Sequence, residues 1–253
     1  MGRDVEGSRQ ARSPGGARSP VPLGLWATGL GLLLVASVTL AVTIGPADIR
    51  FDEVWASILS HLGIGANPLT DLRDGIVWEL RLPRILTAAA VGAGLALSGA
   101  VMQAITRNPL ADPYLLGLSS GASLGAVSVL LLGLAVLLPL AAFLGSMLAL
   151  GLTLLLASSL GRITPTRTVL AGLAVSALAS AITSLVIFWA VTGDSYREIL
   201  GWLLGSLAGA RWPAVAISFG AILIAGVPIM LTGKLLDAFA FGDVSAASLG
   251  VNV

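Results

Sequence analysis

Two glycine–serine runs are the first places where this chain could do covalent chemistry. Gly117-Leu118-Ser119-Ser120-Gly121 matches G-x-S-x-G, and Gly121-Ala122-Ser123-Leu124-Gly125 matches it again. On a sharp strand-to-helix turn that pattern exposes a nucleophilic serine. The serine then needs a base within hydrogen-bond reach. His61 is the one histidine of the sequence and lies far upstream, in a different apolar context. Gly117, Gly121 and Gly125 also recur at every fourth position, the spacing that lets two helices approach closely in lipid. Ala90, Gly94 and Ser98 repeat that spacing. Helix packing is therefore the expected role of both stripes, ahead of hydrolysis.

The charged motifs point to contacts rather than reactions. Arg81-Leu82-Pro83-Arg84 places two arginines three residues apart, so both can project on one side. They can reach for headgroups and water, or offer bidentate forks to carboxylates on a partner. Arg107-Asn108-Pro109-Leu110-Ala111-Asp112-Pro113 carries two prolines and reads as a tight, non-helical turn. Near the end, Asp243 can cap a short helix and Gly250 can stop it, enclosing Val244, Ser245, Ala246, Ala247, Ser248 and Leu249. Such a helix could seat in a partner's groove; a plain surface turn fits the same residues. The sequence has no cysteine, hence no thiolate site, and no G-x-x-x-x-G-K-[ST] phosphate loop, since Gly233-Lys234 is followed by Leu235.

The elements that hold these motifs are apolar. The 253 residues are 56% hydrophobic and 11% charged, with a mean hydropathy of +0.95. A soluble domain carries roughly 25% charged residues, so the chain reads as all-α, a polytopic bundle of helices in a bilayer. The net charge of +1 gives nucleic acid no electrostatic basis for binding. A crossing takes about 20 apolar residues, and six runs supply spans at 23–44, 85–106, 115–137, 140–160, 168–192 and 213–233. The third and fourth come from one uncharged stretch, 114–161, with Pro139 as the expected turn; Pro228 is expected to kink the sixth. Residues 199–207 are apolar but too short to cross, so they should lie at the interface or enter halfway. The Arg-, Ser-, Gly- and Pro-rich leader, 1–22, reads as a disordered cytoplasmic tail; the first span is too long for a signal-peptide core.

With the N-terminus inside, the inner segments carry eight basic residues (Arg3, Arg9, Arg12, Arg18, Arg107, Arg162, Arg167, Lys234) and the outer ones six. The positive-inside rule therefore favours a cytoplasmic N-terminus. The six runs contain no ionisable residue. Ion-coupled transporters usually hold such groups at mid-membrane, so a secondary transporter is the weaker alternative. An intramembrane serine hydrolase is weaker still.

Several runs together resemble one family, the iron-chelate and vitamin B12 permeases of ABC importers (FecCD type). They are WELRLPR at 78–84, GAVMQ at 99–103, RNPLADPYLLGLSSGASLGA at 107–126, LAG at 170–172, GWLLGS at 201–206 and FGDVSAASLGVNV at 241–253. The resemblance implies about ten helices, of which six spans are visible here, so the sequence reads as a fragment or a truncated product. It implies a membrane domain over 23–253 in a bacterial cytoplasmic membrane, working as a homodimer with the passage between subunits. An ATPase on the cytoplasmic face and an external substrate-binding protein would complete the importer of an iron–siderophore, haem or cobalamin-like ligand. No cofactor and no catalysis by this subunit are implied. Residue by residue, Arg81 and Arg84 would meet the binding protein. The segment 237–253, with its helix Asp243–Gly250, would couple to the ATPase. Thr183, Ser184, Ile187, Tyr196, Leu200 and Leu204 would lie along the passage.

Overall fold

The computed structural model describes residues 22–159, 161–190, 193–240 and 242. The leader 1–21 and the expected coupling helix 243–250 lie outside the described residues. Among the described residues every regular element is helical. In chain order they are α1 (Leu23–Thr43), α2 (Phe51–His61), α3 (Asp71–Gly75), α4 (Leu82–Thr106), α5 (Leu118–Leu131), α6 (Leu138–Ser159), α7 (Pro165–Ala190), α8 (Gly193–Leu204), α9 (Trp212–Ala221), α10 (Val227–Leu231) and α11 (Gly233–Ala240). Among the described residues five continuous helical runs, those through α1, α4, α6, α7 and α9–α10, are long and apolar enough to cross a membrane.

The passes alternate in direction. The end of α1 meets the start of α4 through Arg81, and the end of α4 meets α11 through Arg107. These two places define an Arg81 end and an Arg107 end. α5 rises from the Arg107 end against a descending α6, α7 returns, and α9–α10 descends to α11. Most of the apolar surface of these helices is exposed: only 6% of the α1 span and 28% of the α7 span is buried. Large side chains such as Leu32, Leu155, Phe188 and Ile224 point away from the chain. Lipid or another polypeptide must cover that surface, because water would not.

Two expectations about turns change. Pro139 is not the turn; it occupies the first turn of α6, where its missing N–H costs nothing. The chain reverses at Leu132–Leu137, where Gly133 takes φ +69°. The expected span 115–137 is an α-helix only over Leu118–Leu131, about 21 Å long. Its start is delayed by a 3₁₀ turn, Pro113–Leu116, and by Gly117 at φ +83°. Residues 199–204 form the end of a 12-residue helix that starts at Gly193 and buries Ile199 against Val127 and Leu130 of α5, so the segment is still short of a crossing.

The two prolines inside long helices act alike. A π-helical turn, Ile76–Arg81, ends two residues before Pro83, and another, Ile222–Gly226, ends two residues before Pro228. Proline cannot donate to the carbonyl four residues back and its ring crowds it. A wider turn relieves that crowding without ending the helix. At Pro228, where a kink is expected, the helix carries this π turn.

Candidate functional site

The Arg81 end is built on an amphipathic helix that the apolar runs do not reveal. Glu53 accepts the Arg50 N–H at 3.0 Å and fixes the start of α2. Val54 and Ile58 then pack into a core with Val42, Ile49 and Val77. Beside that core, Asp74 gathers three groups: its carboxylate accepts Ser57 Oγ and Asn67 Nδ2 at 2.6 Å each and meets His61 Nε2 at 2.9 Å. The His61 ring stacks on Trp78 with centroids 4.1 Å apart, and Trp78 touches Trp212 at 4.8 Å. This cluster ties the loop 62–75 onto the mouth of the bundle. Asp74, not His61, stands at its centre.

Arg81 and Arg84 do not project together. Arg81 is 8% exposed. Its Nη1 donates to Val42 O and Thr43 O at 3.3 Å, and its Nη2 to Ala47 O at 2.7 Å. It thus caps carbonyls that the end of α1 leaves without intrahelical partners. Gly45 makes room for this: a Cβ there would lie 2.7 Å from Arg81 Nε. Arg84 is exposed and lends Nη2 to Ala208 O at 2.9 Å. Arg211 repeats the device on Glu79 O at 3.1 Å. Three arginines therefore stitch the α1 end, the π turn before α4 and the loop before α9 through main-chain oxygens. Of the expected docking pair, Arg84 presents a solvent-facing cation.

Behind the mouth lies a wall of closely packed small residues. A Cβ on Gly121 would strike Gly145 O and come 2.6 Å from the Ala149 Cβ. One on Gly125 would strike Ala141 O, and one on Gly172 of α7 would strike Leu115 O. Gly121 and Gly125 thus pack against a reciprocal stripe, Ala141–Gly145–Ala149. That partner stripe has the same four-residue spacing and was legible in the sequence. Gly117 does not belong to it; its role is the left-handed turn before α5. Such a break in apolar surroundings strands carbonyls. Thr153 Oγ1 donates to Leu116 O and Ser146 Oγ to Leu118 O, each at 3.0 Å, and Thr153 is fully buried.

The second stripe behaves differently. Ala90 is 3% exposed, but a Cβ on Gly94 would meet nothing within 4 Å, and Ser98 is exposed with its hydroxyl on Gly94 O at 2.8 Å. Gly94 and Ser98 border an open groove of about 280 Å³ facing Ala221 and Gly226.

The passage residues divide as well. Thr183 is buried and bonds its own helix at Ala179 O, while Ile187 packs on the Val127–Leu130–Ile199 core. Ser184, Tyr196, Leu200 and Leu204 are exposed, Leu204 at 86%. Ser119 is exposed at the start of α5, at the Arg107 end, whereas His61 is held at the Arg81 end. The geometry offers this serine no histidine.

At the Arg107 end, the proline-rich segment turns as expected. Asn108 Oδ1 accepts the Leu110 N–H at 2.9 Å, and Asp112 Oδ1 accepts the Tyr114 N–H at 2.7 Å. Arg107 adopts φ +52°, closing α4, and its Nε donates to Phe239 O at 3.1 Å.

Known proteins share this architecture. The profile of the FecCD transport family matches residues 33–253. The cobalamin import system permease protein BtuC of Halobacterium salinarum is 33% identical over 90% of this chain and 70% of its own length. An uncharacterised ABC transporter permease, YvrB of Bacillus subtilis, is 35% identical over 87% of this chain and 64% of its own. The vitamin B12 import system permease BtuC of Klebsiella pneumoniae is 34% identical over 89% and 64%. A solved inward-facing structure assigned to the metal-chelate type of ABC transporter superposes with a TM-score of 0.75 at 29% identity, over 90% of this chain and 68% of the other. The chain thus spans about two thirds of the length of the relatives it matches. On the family match and these identities, the chain belongs to the FecCD transport family.

Proposed function

We propose that this chain is the membrane-spanning subunit of an ATP-driven importer of bulky metal chelates. The observation that carries the reading is the FecCD family match over 33–253, with similarity to cobalamin and vitamin B12 permeases over 90% and 89% of the chain. A separate ATPase works from the Arg107 end, and a substrate-binding protein delivers cargo at the Arg81 end. The N-terminus is cytoplasmic, two copies flank the passage, and the assembly sits in a bacterial cytoplasmic membrane. The subunit itself breaks no bond. Nucleotide acts through the ATPase by favouring one of two arrangements of these helices.

At the Arg81 end, Arg84 is the cation that meets a carboxylate of the binding protein, while Arg81 holds the end of α1 in place behind it. The segment 237–253 carries the ATPase contact, and Ser184, Tyr196, Leu200 and Leu204 face the passage. Two relatives named for cobalamin favour a corrinoid cargo over an iron–siderophore or haem. The test is uptake of labelled cobalamin and of a labelled ferric siderophore into vesicles holding the chain with its ATPase and binding protein. ATP-dependent cobalamin uptake is expected. Uptake of the siderophore alone would move the cargo assignment, and ATP-dependent uptake of neither would remove the reading.

A further inference from the structure

His61 is the one histidine of the sequence, which also lacks cysteine. Imidazole is the side chain whose ordinary titration falls between about pH 5 and 8. At the mouth its Nε2 lies 2.9 Å from Asp74 Oδ2, and its ring stacks on Trp78 with centroids 4.1 Å apart and planes 11° from parallel. The other carboxylate oxygen, Oδ1, accepts Ser57 Oγ of α2 and Asn67 Nδ2 of the following loop. Asn67 Oδ1 accepts the Leu69 N–H, and Leu69 packs against the core of Val42, Val54 and Val77. Residues 62–68, which turn through Gly63 and Gly65 at φ +82° and +79°, are exposed. Asp74 is thus the knot that holds this loop to α2.

Facing an ionised Asp74, the neutral ring presents Nε2 as an N–H donor, since a bare nitrogen would set its lone pair against the carboxylate. A proton from water is then added at Nδ1, and the side chain is 32% exposed to receive it. The imidazolium makes a charge-assisted bond to Asp74 and lies as a cation on the Trp78 indole, both stronger than the contacts of the neutral ring. Among the described residues Asp74 is the group that pairs with His61. The other charges on the elements around the ring are engaged elsewhere or exposed. Asp71 and Arg73 of α3 and Glu79 of the π turn are exposed. Arg81 is turned to the carbonyls at the end of α1, and Arg211, beside Trp212, donates to Glu79 O. On α2 itself, Asp52 pairs with Arg50 and Glu53 accepts the Arg50 N–H, both at the opposite end of the helix.

We propose that His61 is a proton-operated latch on the loop 62–75: protonated, it clamps Asp74 against α2 and Trp78; neutral, it leaves the loop to the weaker hold of Ser57 and Asn67. Because the partner is an anion, the added hold is present on the acid side of the imidazole range and is lost as pH rises through it. Acid at the Arg81 end therefore orders the loop, and alkali loosens it. The latch does not depend on the cargo or on the transport reading.

Hydrogen exchange of the detergent-solubilised chain at about pH 5.5 and about pH 8 tests it, with rates corrected for the intrinsic pH dependence of amide exchange. Protection of residues 62–75 should be about threefold to tenfold greater at the acid pH, the range that a partly exposed ion pair and a cation–π contact supply. The α5–α6 seam should show no such change. In histidine-labelled protein the single ring resonance should titrate over the same interval as the protection. His61→Gln, which keeps a donor without a charge, and Asp74→Asn should each flatten the response. Equal protection at the two pH values, or greater protection at the alkaline one, would overturn the proposal. So would a response that survives His61→Gln, which would assign it to carboxylates, or one that survives Asp74→Asn, which would leave Asp74 out of the latch. A change shared by the α5–α6 seam would be a global effect and also rejects it.

Discussion

The α5–α6 seam and the α4–α9 groove are written in the same alphabet and packed in opposite ways. Both carry small residues every fourth position on one helix: Gly121 and Gly125 in α5, Ala90, Gly94 and Ser98 in α4. In the seam the backbones touch, because α6 answers with Ala141, Gly145 and Ala149. In the groove the wall facing α4 mixes the small Ser218, Ala221, Ala225 and Gly226 with Ile222 and Ile229 around a π turn, and a gap of about 280 Å³ stays open beside Gly94 and Ser98. Small residues on both sides therefore permit close approach without enforcing it: Ile222, Ile229 and the π turn interrupt the groove, whereas α5 and α6 are regular where they meet, and in lipid close approach is driven by packing and not by exclusion of water.

This contrast predicts opposite signs for one substitution. Gly121→Ala should destabilise the detergent-solubilised protein by about 1–3 kcal/mol or more, because a Cβ has no space against Gly145 and Ala149. Gly94→Ala should stabilise it by roughly 0.5–1 kcal/mol, as alanine is the better helix former where nothing is struck. Thermal unfolding of the pair decides the matter; equal shifts would mean that the seam and groove do not differ.

Next in size are the arginines of the mouth. Arg81→Ala leaves buried carbonyls at the end of α1 without a donor, a loss of about 1–3 kcal/mol. Arg84→Ala should change stability by less than about 0.5 kcal/mol, since Arg84 is exposed. In binding measurements with the substrate-binding protein, Arg84→Glu should weaken association most at low salt, as expected for a rim charge. A stability loss at Arg84 as large as that at Arg81 would erase the distinction drawn between them.

The smallest effect belongs to the α5 break. Thr153→Val removes the donor to Leu116 O and should cost about 1 kcal/mol, with Thr153→Ser restoring most of it. An unchanged melting temperature in Thr153→Val would show that the stranded carbonyl finds another partner.

Much of the fold is legible in the chain. Uncharged runs mark the crossings, and the proline-rich segment 107–113 marks a turn whose caps, Asn108 and Asp112, are themselves readable. The turn at Gly133 is not, because Pro139 carries the louder signal while proline is equally at home in a helix's first turn. Helix α2 escapes a search for apolar runs, since only one side of it is buried. Arg81 reads as an outward cation because its partners, the carbonyls of Val42 and Thr43, lie up to 39 residues away and leave no mark on side-chain types. The Asp74 cluster is silent for a related reason: Ser57 and His61 stand four apart on α2, but Asn67 and Asp74 lie beyond that helix and continue no spacing.

The central claim is that these helices form wall and hinge, while energy enters from a separate ATPase. Vesicles containing the chain with its binding protein, assayed for labelled cobalamin uptake with and without the ATPase subunit, test it most directly. Uptake should require both the ATPase and ATP and should survive a protonophore. Uptake by the chain without the ATPase, abolished by that protonophore, would contradict the account.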